Sequence, residues 1–239
     1  MNSHDTRGFW RRLLAVVAPL PMLAKGVFYL LIPVGGDADF ETTRAAFSAH
    51  RDLMGVLLYL DAAFVTLLVP ATAAVVWVAR RGAPRLTTWA AAISLGGFLA
   101  GIALLGGVLT PELMTVRHGL DPATMKSFAA ALEGEPLFGV ASLLFIAAVV
   151  IGLGLLGAAL WRSRAVSPWF GILLMVGGIT HPFIPTHVGQ GIGLLVAAAG
   201  FAGASVALLR TPNDAFDLPP IVKAAVTSPG SDPAPSRYR

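Results

Sequence analysis

A chain of 239 residues that is 56% hydrophobic and 13% charged, with a mean hydropathy of +0.74, is too apolar for an ordinary soluble domain. Its formal charge of +4 and pI near 10 would point to nucleic acid in a soluble protein, but here the basic excess is accounted for by positive-inside sorting at the span ends, and no nucleic-acid partner is implied. The absence of cysteine excludes thiol nucleophiles, disulfides, thiolate metal sites and covalent haem attachment.

Lipid offers backbone groups no hydrogen-bond partner, and no alternating-polarity strands of barrel type occur. The fold class is therefore all-α: a polytopic membrane helix bundle with six transmembrane helices and short amphipathic helices on the outer side. Residues 1–9 form a polar tail. Residues 10–210 are the transmembrane domain, with apolar runs at 13–33, 53–79, 88–109, 137–161, 169–184 and 188–209. The first run follows Arg7, Arg11 and Arg12 but continues to Pro33 without a small-residue cleavage site, so it reads as an uncleaved span and not a secretory signal. Pro19 and Pro21 each remove a helical donor and predict a bend whose freed carbonyls can line a cavity.

Two connections on the outer side are long enough to hold structure. In Asp39 to His50, Phe40 and Phe47 are seven apart on one face and predict a short helix leading into the second span. In the second, Asp121 caps a helix, Pro122 takes its first position, and Met125, Phe128 and Leu132 share a face. Each is either an interfacial helix covering the bundle or a lid. The fifth run is short and broken by Pro182. From Thr211 onward, six prolines with serine and aspartate make 211–239 a flexible cytoplasmic tail.

With both termini inside, the inner segments hold twelve basic residues against four acidic ones, and the outer loops four against eight. The positive-inside rule then gives a multi-pass protein of the cell membrane with cytoplasmic termini. Small residues four apart (Gly97 with Gly101, Ala103 with Gly107, Gly154 with Ala158, Gly193 with Ala197, Gly200 with Ala204) let helix backbones approach closely. Ten residues between Leu53 and Pro84 recur 84 positions later between Leu137 and Pro168, through either duplication of a helical hairpin or convergent span-end chemistry. Gly152, Gly154 and Gly157 spell a dinucleotide fingerprint, but in mid-span it lacks the strand and phosphate-facing helix start the motif needs.

Lys25 is the one basic residue inside an apolar run, where it costs about 2.5 to 3.5 kcal/mol on insertion scales. It lies about 12 Å below the outer end of its span, and Asp61 is at a like depth in the antiparallel second span. Two readings are open: an ion pair between them, or a lysine snorkelling to the interface. A formed pair can serve a coupling ion or proton, or only helix register. A second candidate cluster is His181 and His187, separated by two prolines, with Gln190 one turn on; His50 shares a face with Asp61 if the second helix begins early. With outer carboxylates these histidines form a divalent metal site, a pH-sensitive polar cluster, or interfacial residues without a role.

The layout, with elaborated outer loops and an inner connection such as Trp161-Arg-Ser-Arg, resembles the uncharacterised six-span membrane proteins common in high-GC bacteria over about residues 8 to 210. The resemblance rests on no diagnostic motif and carries over no functional residue. The favoured reading is a non-enzymatic membrane protein whose outward polar cavity binds or passes a small solute or lipid, with Lys25, Asp61, His50, His181, His187 and Gln190 as binding candidates and no cofactor. A metal-dependent hydrolase using His181 and His187, and a structural subunit packed against a membrane partner, are the alternatives.

Overall fold

The computed structural model describes residues 6–102, 104 and 110–216, and among these every regular element is helical. In chain order they are α1 (Arg7–Val17), α2 (Leu20–Leu31), α3 (Phe40–Ala49), α4 (Arg51–Ala79), α5 (Pro84–Ile102), α6 (Thr110–His118), α7 (Pro122–Glu133), α8 (Pro136–Ala147), α9 (Leu153–Ser163), α10 (Pro168–Thr180), α11 (His187–Arg210) and α12 (Asn213–Phe216). A π-helical turn, Ala148–Gly152, joins α8 to α9. Among the described residues five helical stretches are long and apolar enough to cross a membrane: Arg7–Leu31, Arg51–Ala79, Pro84–Ile102, Pro136–Ser163 and His187–Arg210. The fifth expected run, 169–184, does not reach that length. Its helix, α10, has 13 residues and so spans about 20 Å, because Pro182 converts its end to the 3₁₀ turn His181–Phe183.

The bend in the first span has a specific chemistry. Pro19 offers no N–H to the carbonyl of Ala15 four residues earlier, and Ser205 Oγ of α11 donates to that oxygen instead at 2.6 Å. The freed carbonyl thus fastens two helices together and does not line a cavity. Nearby, Arg11 Nη1 donates to the carbonyl oxygens of Leu208, Leu209 and Thr211 at 3.1, 3.0 and 2.5 Å, tying α1 to the end of α11, where helical donors run out. The helix also begins earlier than the apolar run, taking in residues 7–9 of the expected tail.

Antiparallel packing through small residues builds the rest. Gly171 of α10 lies against Gly157, Gly177 against Gly193 and Ala197, and Gly200 against Leu174, so α10 runs opposite to both α9 and α11. Gly97 of α5 abuts the Leu144 carbonyl and Ala148 where the helix opens into its π turn, and a Cβ there would collide with that backbone. Ala103 and Gly107 lie outside the described residues. One large core cluster joins α1, α2, α4, α5, α9, α10, α11 and α12; a second, of Phe28, Phe47, Met54, Leu57 and Leu113, ties α3 and α6 to α2 and α4.

The two amphipathic helices form where their caps place them. Asp39 accepts from Thr42 N and Asp121 from Thr124 N, both at 2.8 Å, and these bonds hold both carboxyls below the ordinary aspartate range, with the Thr124 hydroxyl the main cause at Asp121. Helix α6 was not expected: Thr110–His118 is short and mixed in polarity, and is held by the fully buried Leu113. Residues 211–216 depart from the expected flexible tail. Phe216 is buried and stacks on Trp77 with ring centroids 4.8 Å apart; 217–239 lie outside the described residues.

The starts of α1, α5 and α10 and the ends of α4, α9 and α11 share one end of the bundle, with α12 folded onto it. All five tryptophans, Trp10, Trp77, Trp89, Trp161 and Trp169, sit within two turns of that arginine-rich end.

Replacing Gly97 with valine is expected to lower stability by about 1–3 kcal/mol in thermal unfolding, whereas Gly96→Val, at a position with nothing within 4 Å, should not. Because their carboxyl pKa values are depressed on folding, the caps of α3 and α7 are in place above the ordinary aspartate range and lost as pH falls through the lowered values, so hydrogen exchange in both helices should accelerate on acidification.

Candidate functional site

Lys25 lies one turn beyond Pro21 in α2, and Asp61 lies in the antiparallel α4, the longest helix at 29 residues. Similar depth and facing surfaces bring Lys25 Nζ onto Asp61 Oδ1, with both side chains 11% exposed. The ammonium does not reach toward an interface. It sits among aromatic faces, 4.0 Å from the ring centroid of Phe28, 5.0 Å from Tyr29 and 5.5 Å from Phe64. Each ring turns its negative face to the cation, replacing part of the hydration lost on burial. The cage is a consequence of helix geometry: Phe28 and Tyr29 are three and four residues after Lys25, and Phe64 is three after Asp61, all neighbours on one helix surface.

The pair forms part of the wall of a cavity of about 230 Å³ between α2, α4, α5 and α8. Lys25, Asp61, Tyr29 and Ser142 supply its polar atoms. Phe64, Val65, Gly101, Leu104, Phe145 and Ile146 make the remainder apolar. Ile146 is also 50% exposed on the flank of the bundle.

Tyr29 borders this cavity and a second one as well, of about 420 Å³, lined by residues 32–37 and 185–188. Its ring lies 5.5 Å from that of His181 and 5.3 Å from that of His187. His187 Nδ1 donates to the carbonyl oxygen of Val34 at 2.8 Å. Since a carbonyl only accepts, the proton on Nδ1 leaves Nε2 as the nitrogen that faces Gly36. His181 Nδ1 is buried without a hydrogen-bond partner among the described residues. Gln190 Nε2 donates to the Ile184 carbonyl at 2.8 Å, closing the turn between the two histidines.

Five of the six candidate residues thus lie along one line, from Asp61 and Lys25 through Tyr29 to His181, His187 and Gln190. His50 does not join them. It is exposed, and its φ of −124° and ψ of 42° put it outside α4, which begins at Arg51, so the shared face with Asp61 does not arise. Glu112 is partly buried in α6, where desolvation and the nearby Glu133 push its carboxyl above the ordinary range. Among the described residues no group of three histidines or carboxylates is arranged to hold a metal.

Tyr29 is the residue the sequence reading missed, although its four-residue spacing from Lys25 was the available signal. No family model matches the chain, and neither a curated protein nor a solved structure matches it.

Removing one member of a buried ion pair strands the other, so Lys25→Met or Asp61→Asn alone should cost about 3–5 kcal/mol. The double variant Lys25→Met with Asp61→Leu should recover most of that loss. Chemical unfolding in detergent of the four species of this cycle checks both statements.

Proposed function

We propose that the chain is a multi-pass protein of the cell membrane, crossing six times with both termini cytoplasmic, and that it binds or passes a small solute or lipid at the Lys25–Asp61 pair. Five helices of sufficient length and hydropathy support the membrane assignment. Indole rings gathered at the arginine-rich end support its lying at a membrane interface, and the arginines there support its being the cytoplasmic one. Helix α10 makes the sixth crossing despite its length, because it is packed antiparallel between α9 and α11 and the 3₁₀ turn prolongs it.

The observation that carries the functional reading is that the buried ion pair lines a cavity and is not sealed in packing. Drug-sized ligands occupy about 300–1,000 Å³, so a volume of about 230 Å³ admits something smaller. The ligand offers one ionic or hydrogen-bonding group to Lys25 or Asp61, since opening the pair needs a replacement partner, and an apolar remainder to Phe64, Val65 and Phe145. Tyr29 is the partition between this cavity and the outer one lined by His187 and Asp37. Rotation of its ring joins the two. Ile146 marks the alternative approach from the lipid side.

Proteoliposomes with an entrapped pH dye, challenged with a proton gradient and a panel of small amines and carboxylates, test the reading. Lys25→Met and Asp61→Asn should abolish movement that the native chain supports while the protein remains monodisperse, and Tyr29→Ala should raise it. Movement unchanged in both charge variants would assign the pair to helix register alone.

A further inference from the structure

A second candidate site lies at the opposite, arginine-rich end. Two cavities meet there between the α4–α5 turn and the end of α9, one of about 550 Å³ and one of about 430 Å³. They share Gly82, Leu86 and Arg162 and so form one groove. The turns that frame it are locked together, because Gly82 sits against the backbone of Ser163 so closely that a Cβ would collide with it. Arg164 closes α9 in the left-handed region at φ 56°, its N–H donating to the Trp161 carbonyl at 3.3 Å.

Three arginines line the groove: Arg85 from the first turn of α5, and Arg162 and Arg164 from the end of α9. No carboxylate lines it, and none of the three has a hydrogen-bond or ion-pair partner for its guanidinium among the described residues. A bias of charge across a bilayer requires arginines at this end of the molecule. It does not require three around one hollow. The first turn of α5 adds its own positive end, since its leading N–H groups have no carbonyl before them within the helix. Below the charges the wall turns apolar, through Leu86, Ala158 and the 49%-exposed Trp161.

We propose that this groove binds the phosphodiester headgroup of an anionic membrane phospholipid, with an acyl chain lying against Leu86 and Trp161. Guanidinium groups match phosphate oxygens in charge and in fork geometry. The apolar wall and the indole favour a lipid over free phosphate, which has nothing to place there. The inference rests on the membrane assignment above but not on the Lys25–Asp61 cavity.

Native mass spectrometry of the full chain, released from detergent with phosphatidylglycerol or phosphatidylcholine, tests it. One phosphatidylglycerol should be retained in preference to phosphatidylcholine. Arg162→Gln and Arg164→Gln should each weaken that retention about five-fold, while Arg12→Gln, exposed on α1 at the same end but outside the groove, leaves it unchanged. Should the α9 variants fail to fold, Arg85→Gln on the facing wall reads the same site. Undiminished retention in the groove variants, an equal loss in Arg12→Gln, or displacement of the lipid by inorganic phosphate overturns the proposal. Equal retention of the two lipids overturns the site but leaves the membrane assignment standing, whereas a chain that stays soluble without detergent overturns both.

Discussion

An ammonium group moved into an apolar interior loses hydration that only a few kinds of contact replace, and Lys25 has two of them at once. The carboxylate of Asp61 supplies charge, and three aromatic faces supply a polarised surface. Much of the arrangement of α2 and α4 follows from this requirement. The helices must be antiparallel neighbours, the residues must lie at like depth, and the rings that cover the ammonium come three and four positions after Lys25 and three after Asp61. A pair buried this way contributes little net stability compared with a well-packed apolar substitute, but it penalises every register in which the charges miss each other. It therefore defines how these two helices meet more sharply than leucine packing does.

Much of this architecture was legible in the sequence for local reasons. Hydropathy located the long helices, the spacing of Phe40 and Phe47 announced α3 and the cap Asp121 announced α7, and counting residues from the span ends placed Lys25 beside Asp61. What escaped was set by contacts distant in the chain. Helix α6 has no strong periodicity and forms because Leu113 finds a pocket between other elements. The apolar residues around Pro182 extended the apparent fifth run past the point where the proline ends its helix. His50 drops out because one residue of non-helical backbone separates it from α4. Phe216 in the tail is ordered by Trp77, well over a hundred positions earlier, which no local pattern reveals.

The bundle is polar in a global sense as well. Most of the arginines, all the tryptophans and the short turns occupy one end, while the amphipathic helices, the described histidines and the longer connections occupy the other. At the first end, backbone acceptors that a helix leaves open are taken by side chains from elsewhere, as Arg11 does for α11 and Ser205 for the carbonyl vacated by Pro19. These contacts make α1 and α11 a clasped pair. A protein whose midsection carries an ion pair beside a cavity thus has a firm base against which that midsection can adjust.

The π turn at Ala148–Gly152 bears on the sequence echo between 53–84 and 137–168. A turn closed by i→i+5 bonds holds one residue more than an α-turn, so the helix beyond it is out of phase by about 100°. Helix α4 has no such slip. Two segments aligned without a gap in sequence therefore present their later residues in different directions: Trp77 turns inward beneath Phe216 and Arg80, and its counterpart Trp161 faces outward at 49% exposure. Equivalent letters in the two segments have been given different neighbours by a single widened turn, which offers a way for duplicated helices to diverge in role without diverging in spacing.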